Sequence, residues 1–261
     1  MSPSSPPIGS DSHRPRIGVV SGRYPASDFE SYVNHRAYCE KHGYTYIYCN
    51  WPTGADNRYM NKMEYVRAYY HLFDYLFWID DDAFFMRLDQ GLEEFLPTAN
   101  SFLSICASPT VNGNHTYVSS GQFMLRCTDE GRAFIDEVTR IKLDRVSDWW
   151  SDELGLYTGG DQDGFVYLMK TDERFAQYDR HSHTAFNSRA GDVLHGDDVF
   201  LLHITGTVHA KAEKYRDVQR YLSRGPSLLT ATEAERWKLE PPRTLARRIL
   251  GRVKRVVRRL R

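Results

Sequence analysis

The chain has 261 residues, 41% of them apolar and 13% aromatic. This excludes a disordered, collagenous or disulfide-scaffold protein and suits one large globular domain with appendages. A formal charge of zero hides an asymmetry: residues 243–261 hold nine of the 34 basic residues and no acidic one, which leaves an acidic body of 25 basic against 34 acidic residues and argues against nucleic acid as its partner. The four cysteines (Cys39, Cys49, Cys106 and Cys127) lack ligand spacing and read as reduced core thiols. No N-terminal apolar segment and no run of 18 apolar residues is present, so a cytoplasmic protein is expected.

Residues 1–15 are rich in Pro and Ser and are expected to be disordered. Ile17 to Val20 reads as a buried strand that ends at Ser21-Gly22-Arg23-Tyr24. A strand opening into a glycine-containing turn is a common seat for a nucleotide in an open α/β sheet. Asn34 to His42 reads as a helix stopped by Gly43, and Tyr44 to Tyr48 as a strand, which together give a parallel βαβ unit. Asn61 to Phe73 is the next expected helix, with Met63, Val66, Tyr70 and Phe73 on one face. Lys62 at its start suits either a phosphate contact or an ordinary surface position.

That helix leads into Tyr75-Leu76-Phe77-Trp78-Ile79, a run apolar enough for a strand buried on both faces, followed at once by Asp80-Asp81-Asp82. Three adjacent carboxylates repel one another and lose solvation near a core, so a cation would let them sit there. In an extended segment residues i and i+2 share a side, so Asp80 and Asp82 are expected to face one ion and Asp81 to turn away. Hard oxygen ligands suit Mg²⁺ or Mn²⁺. The competing reading is a solvated acidic turn, against which stand the apolar residues on both sides.

A short helix is expected around Leu92–Leu96, then a strand from Phe102 to Cys106. Tyr117 to Arg126 reads as a strand interrupted by small residues, where Gly121 permits a bulge or close backbone approach to a ligand. Thr128 caps an expected helix from Asp129 to Ile141. A polar loop then runs from Trp149 to Gly160, and Asp161-Gln162-Asp163 opens a helix through Leu168. A last strand ends at His203, the best candidate for a neutral nitrogen ligand beside two carboxylates.

These pieces resemble glycosyltransferase family 34, which holds α-galactosyltransferases, α-mannosyltransferase subunits and xyloglucan xylosyltransferases. The resemblance rests on Trp78-Ile79-Asp80-Asp81-Asp82-Ala83, His42-Gly43-Tyr44, Gly121-Gln122-Phe123-Met124-Leu125-Arg126, Gly160-Asp161-Gln162, Phe186-Asn187-Ser188 and Gly196-Asp197 leading to His203-Ile204-Thr205-Gly206, over roughly residues 16–215. It implies a GT-A fold, that is, a single α/β domain with a mostly parallel open sheet flanked by helices. It also implies a nucleotide-sugar donor, Mn²⁺ (or Mg²⁺), a glycan or glycolipid acceptor, and transfer with retention. Asp80, Asp82 and His203 would hold the metal, and Asp161 and Gln162 would lie on the sugar side as catalytic candidates. Ser21, Gly22, Arg23, Lys62, Asp80, Asp81, Gly206 and Lys211 are the nucleotide-binding candidates, and Gly121, Gln122 and Asn187 the substrate-facing ones. Departures from the family are Thr207-Val208-His209-Ala210-Lys211 in place of a Cys-Lys, which leaves Lys211 or His209 as the phosphate cation, and Ser119-Ser120 in place of an Asn. Two other readings of an acidic strand end are a haloacid-dehalogenase-like phosphatase and a non-catalytic, membrane-bound carbohydrate-binding protein.

The domain is expected to span residues 16–225, with a linker over 226–242 and a helix over 243–261. In that last segment Leu245, Ile249, Val253, Val256, Val257 and Leu260 share one face and arginines cover the rest. This is the pattern of a helix lying on an anionic membrane surface, so the expected location is cytoplasmic, at the inner face of a membrane.

Overall fold

The computed structural model describes residues 14–222, apart from 28, 56, 111 and 112. The expectations for residues 1–13 and for the basic helix over 243–261 lie outside the described residues. Eight strands are present among them: β1 (Ile17–Gly22), β2 (Thr45–Cys49), β3 (Tyr75–Ile79), β4 (Ala83–Phe85), β5 (Leu103–Cys106), β6 (Ser119–Arg126), β7 (Asp179–His181) and β8 (Leu201–His203). The helices are α1 (Ser31–His42), α2 (Asn61–Tyr69), α3 (Asp129–Arg140), α4 (Leu143–Trp149), α5 (Asp161–Thr171), α6 (His183–Phe186), α7 (Ala190–His195) and α8 (Val208–Leu222).

Six strands form one sheet in the order β2-β1-β3-β6-β5-β7, and only β6 runs against the others. The expected βαβ unit is β1-α1-β2, closed where Gly43 takes the left-handed conformation (φ 73°) and donates its N–H to the Cys39 carbonyl. Side chains of β3 alternate between two cores, as a strand covered on both faces requires. Leu76 and Trp78 join Met63, Val66, Phe134 and Phe165 under α2, α3 and α5, and Phe77 and Ile79 join Tyr38, Phe85, Phe186 and Phe200 on the α1 side.

The chain leaves the sheet at Asp80. Asp81 and Asp82 form a turn closed by Ala83 N–H donating to the Asp80 carbonyl at 3.1 Å, and β4 then pairs antiparallel with β8, Ala83 opposite His203. The segment is therefore a turn and not the extended run expected, because its backbone must pass from the large sheet to the two-stranded ribbon. Three further differences share a cause in weak local patterning. The residues around Leu92 make only a single 3₁₀ turn, Leu92–Phe95. The loop expected after Trp149 is preceded by α4, which buries only Val146. The helices α7 and α8 carry no apolar stripe strong enough to stand out in the sequence.

Candidate active site

Four polar side chains of α1 hold the acidic turn and the chain that follows it from behind. Ser31 Oγ donates to the Asp81 carbonyl (2.6 Å), and Asn34 exchanges two hydrogen bonds with the Phe85 backbone (2.9 and 2.7 Å). His35 Nε2 donates to the Ala83 carbonyl (2.8 Å), and Tyr38 donates to the Gln90 carbonyl. Residues 31, 34, 35 and 38 recur at helical spacing, the signal that would have revealed them: a helix with a polar stripe buried as deeply as its apolar one. Burial lowers the His35 pKa to about 4, against the opposing pull of the Ala83 carbonyl.

The turn brings Asp80, Asp82 and His203 together. His203 Nε2 lies 3.3 Å from Asp82 Oδ1 and 3.8 Å from Asp80 Oδ2, and the three ligand atoms all fall within 4.8 Å of one another. Asp81 stands apart, with Oδ2 buried and accepting no hydrogen bond. Burial, with Asp82 next, pushes its pKa up to about 6. Asp82 Oδ1 is also buried without a hydrogen bond, while Lys211 at the start of α8 pairs with Oδ2.

Those distances fit a bound divalent ion. Ligand atoms held ~2.1 Å from one ion in an octahedron lie about 3 Å apart when adjacent and about 4 Å when opposite. Two carboxylates and one neutral imidazole form a donor set suited to a divalent metal ion, and an orphaned buried carboxylate oxygen is satisfied by such an ion. Burial holds the His203 ring below its ordinary pKa against the pull of Asp82, which favours the neutral, ligating form.

On the α2 side Lys62 is no surface residue. Its Nζ sits 3.2 Å from Asp80 Oδ1 and 3.0 Å from Asp161 Oδ2, and donates to the Ser120 carbonyl at 2.9 Å. Burial works to lower its pKa, and the Asp161 and Asp80 carboxylates outweigh that and raise it. Trp78 Nε1 donates to Asp80 Oδ1 at 2.7 Å. Asp161, in the first turn of α5, is 4% exposed, and the adjacent Gln162 accepts from Ser120 N–H at 3.3 Å.

The strand β6 bends to meet this group. Cys106 would face Gln122 if the β5–β6 register continued from Ile105–Phe123, but it pairs with Ser119. The slack leaves Ser120 to Gln122 bulged over the site. The Gly121 carbonyl serves this geometry by accepting from Asp80 N–H at 2.8 Å. A Cβ on Gly121 would lie 2.4 Å from His203 Cε1 and 3.1 Å from Asp80 Oδ2. The close approach expected at this glycine is thus to the ligand side chains themselves.

The remaining candidates fall in different places. Gln122 is fully buried with neither amide atom paired to protein. Asn187, expected to face substrate, is fully buried behind His203, with its Oδ1 at 2.9 Å from the ring Nδ1. Arg189, which no sequence pattern marks, donates to the Asn187 side-chain oxygen at 2.5 Å. Ser21, at the end of β1, is buried with Oγ unpaired, and Arg23 is partly exposed. Gly22 (φ 154°) is dictated by strand packing, since a Cβ would strike the Cys49 carbonyl. Gly206 (φ 121°) turns the chain from β8 into α8. Of the two phosphate-cation candidates, Lys211 reaches Asp82, and His209 is exposed beside Glu213 at 3.4 Å.

An acidic turn at the carboxyl end of a central strand, on a mostly parallel sheet flanked by helices, is the arrangement of GT-A glycosyltransferases, and the chain has that fold. Residues 24–106 match the model of the galactosyl transferase GMA12/MNN10 family, a span that holds α1, β2, α2, β3 and the Asp turn and runs through β5. Among solved structures, a glycosyltransferase involved in the glycosylation of the major capsid of PBCV-1 is similar at a TM-score of 0.59 and 15% identity, covering 79% of this chain and 100% of that one. The glycosyltransferase GlyE of Streptococcus pneumoniae TIGR4 is similar at 0.48 and 13%, covering 80% and 63%. No curated protein matches the chain by sequence.

Proposed function

We propose that the chain transfers a hexose or pentose from a UDP- or GDP-linked donor to a glycan or glycolipid acceptor, with retention of anomeric configuration, using Mn²⁺ (or Mg²⁺) held by Asp80, Asp82 and His203. The observation that carries this is Asp82 Oδ1, buried without a hydrogen bond and 3.3 Å from the Nε2 of His203. Held by these three residues, a divalent ion would supply positive charge against the negative charge that builds on the diphosphate as the nucleotide leaves. Lys211, already drawn to Asp82, supplies a second cation on the same side. Ser21, Arg23 and the buried Asp81 carboxyl line the carboxyl end of β1 and β3, the usual place for a nucleotide on such a sheet.

Lys62 and Asp161 support a reading of the sugar side. Asp161 is ion-paired and nearly closed to solvent, a setting that favours holding Lys62 in place over nucleophilic attack. Gln162, fixed by the Ser120 backbone, carries only a weak dipole. Both features favour a front-face path through an oxocarbenium-like state over a covalent intermediate. The location we propose is the inner face of a membrane, reached through the basic segment 243–261; among the described residues no helix is long and apolar enough to cross one.

The test is thermal unfolding with Mn²⁺, with UDP- or GDP-sugars, and with both. A ligand at a hundred times its Kd stabilises by about 2.7 kcal/mol, and that gain is expected only when ion and nucleotide are present together. Asp82→Asn should remove it while the protein stays folded. A wild-type protein unmoved by every donor and ion, or an Asp82→Asn variant with unchanged response and turnover, refutes the proposal.

A further inference from the structure

We propose that Arg189 and Asn187 form a positioning relay that fixes the His203 proton on Nδ1 and so presents the Nε2 lone pair to the Asp80–Asp82 pair. This rests on the metal reading above, yet its central statement concerns the metal-free protein.

The relay is rigid because its backbone is. Ser188 N–H donates to the Leu201 carbonyl at 3.0 Å, and the Ser188 carbonyl accepts from His203 N–H at 2.8 Å. These two bonds lock the 187–189 segment beside β8. Arg189 N–H donates to Asp192 Oδ2 at 2.6 Å as α7 begins, which anchors the far end. Arg189 Nη1 then donates to both oxygens of Asn187, the backbone carbonyl at 2.7 Å and Oδ1 at 2.5 Å.

The chemistry follows from what each group is able to do. A guanidinium only donates, so the Asn187 atom facing it is the oxygen, never the NH₂. The NH₂ end donates to the Ala107 carbonyl at 3.3 Å, in agreement. That same oxygen lies 2.9 Å from His203 Nδ1. Two lone pairs do not face each other at that distance, so Nδ1 carries the hydrogen. Arg189 Nη1 also lies within hydrogen-bond reach of Nδ1, at 3.4 Å, but this contact is longer and weaker than the 2.9 Å one to Asn187 Oδ1. Nε2 is left as an acceptor facing Asp82 Oδ1 and Asp80 Oδ2, with the Gly121 backbone closing the other side of the ring. Three acceptors thus converge with no hydrogen among them, an arrangement that a cation relieves. Orientation of a ligating imidazole through its other nitrogen is the usual second layer of a metal site. Here the orienting group is a neutral amide whose own direction an arginine decides.

Long-range ¹H–¹⁵N correlation spectra of the full-length, metal-free protein at mildly alkaline pH read the tautomer directly, with His203→Gln identifying the His203 signals. Mn²⁺ titration followed by electron paramagnetic resonance, with and without UDP, gives the affinity. Wild type and Asn187→Asp, which retains an acceptor oxygen, should both show Nδ1–H. Asn187→Leu should lose that pattern and bind Mn²⁺ ~10–100-fold more weakly. Arg189→Leu, which frees the amide to flip, should show a mixture of tautomers with a smaller loss. Wild type with Nε2–H, or folded Asn187→Leu and Arg189→Leu variants that keep Nδ1–H, overturns the relay whatever the metal result. Wild type with Nδ1–H but no Mn²⁺ binding in either condition supports the relay and refutes the metal-dependent transfer reading instead. Should Asn187→Leu not fold, the spectra of Arg189→Leu decide alone: a mixture of tautomers supports the relay, and Nδ1–H throughout overturns it.

Discussion

Gly121→Ala adds one methyl group at the point where β6 bulges over the site. In a strand that substitution is ordinarily neutral or favourable, since alanine loses less backbone entropy on folding, by roughly 0.5–1 kcal/mol. Here the new carbon would stand 2.4 Å from His203 Cε1 and 2.9 Å from Nδ1. Ordinary contact begins about 1 Å further out, so the ring or the strand has to move by that amount. The ring is held by Asn187 at 2.9 Å and by β8 pairing opposite Ala83, and the strand by the Gly121 carbonyl that accepts from Asp80 N–H. Overpacking of this kind costs about 1–3 kcal/mol. The larger consequence falls on the ligand set, because metal sites tolerate only ~0.2 Å in ligand distance. We expect Gly121→Ala to stay folded, to lose about 1–3 kcal/mol in urea denaturation, and to bind Mn²⁺ at least ~10-fold more weakly, with transfer falling in parallel. The assays are denaturation, Mn²⁺ titration and donor turnover on the same preparation. Unchanged Mn²⁺ affinity and turnover would refute the placement of His203 against this glycine, and a stability gain would show that the strand relaxes freely.

Three further outcomes are expected. Lys62→Met strands the buried Asp161 carboxylate and should destabilise by about 3–5 kcal/mol, while Lys62→Met/Asp161→Leu recovers most of that; equal stabilities of the single variant and wild type would show the ion pair to be inert. His35 binds its proton in the unfolded chain near 6.5 but in the folded one only near 4, so acid favours unfolding: stability is unaffected above about pH 6.5, falls as pH drops to about 4, and levels off below. At ~1.4 kcal/mol per pH unit the loss is about 3 kcal/mol, and His35→Gln should lack that part of the acid slope; superimposable slopes for the two proteins would contradict it. Removal of residues 243–261 should release the protein from anionic vesicles without loss of transfer to a soluble acceptor, and wild-type pelleting should weaken as salt rises; equal pelleting of both proteins would move the membrane contact to the catalytic domain.

Much of the framework was legible because it rests on short-range rules. The strand Tyr75–Ile79 announces itself by five apolar residues, since burial on both faces permits nothing else there. Thr128 caps α3 and Gly43 stops α1, because these depend on the nearest backbone groups alone. Asp80, Asp82 and His203 were likewise visible as chemical types at the ends of apolar runs. What the sequence could not state is direction. Asp80 and Asp82 share a side through a turn and not through strand alternation, a result of β4 leaving the sheet to pair with β8. Asn187 and Lys62 carry the residue types of substrate contacts, yet one is enclosed behind His203 and the other is captured by two carboxylates. Arg189 gave no signal at all, because its role exists only where the chain folds residue 187 against residue 203. Local sequence determines which backbone conformations and side chains are available, whereas the partner of each buried polar group is chosen by contacts across dozens of residues, and it is those contacts that turn two acidic side chains and a histidine into a site.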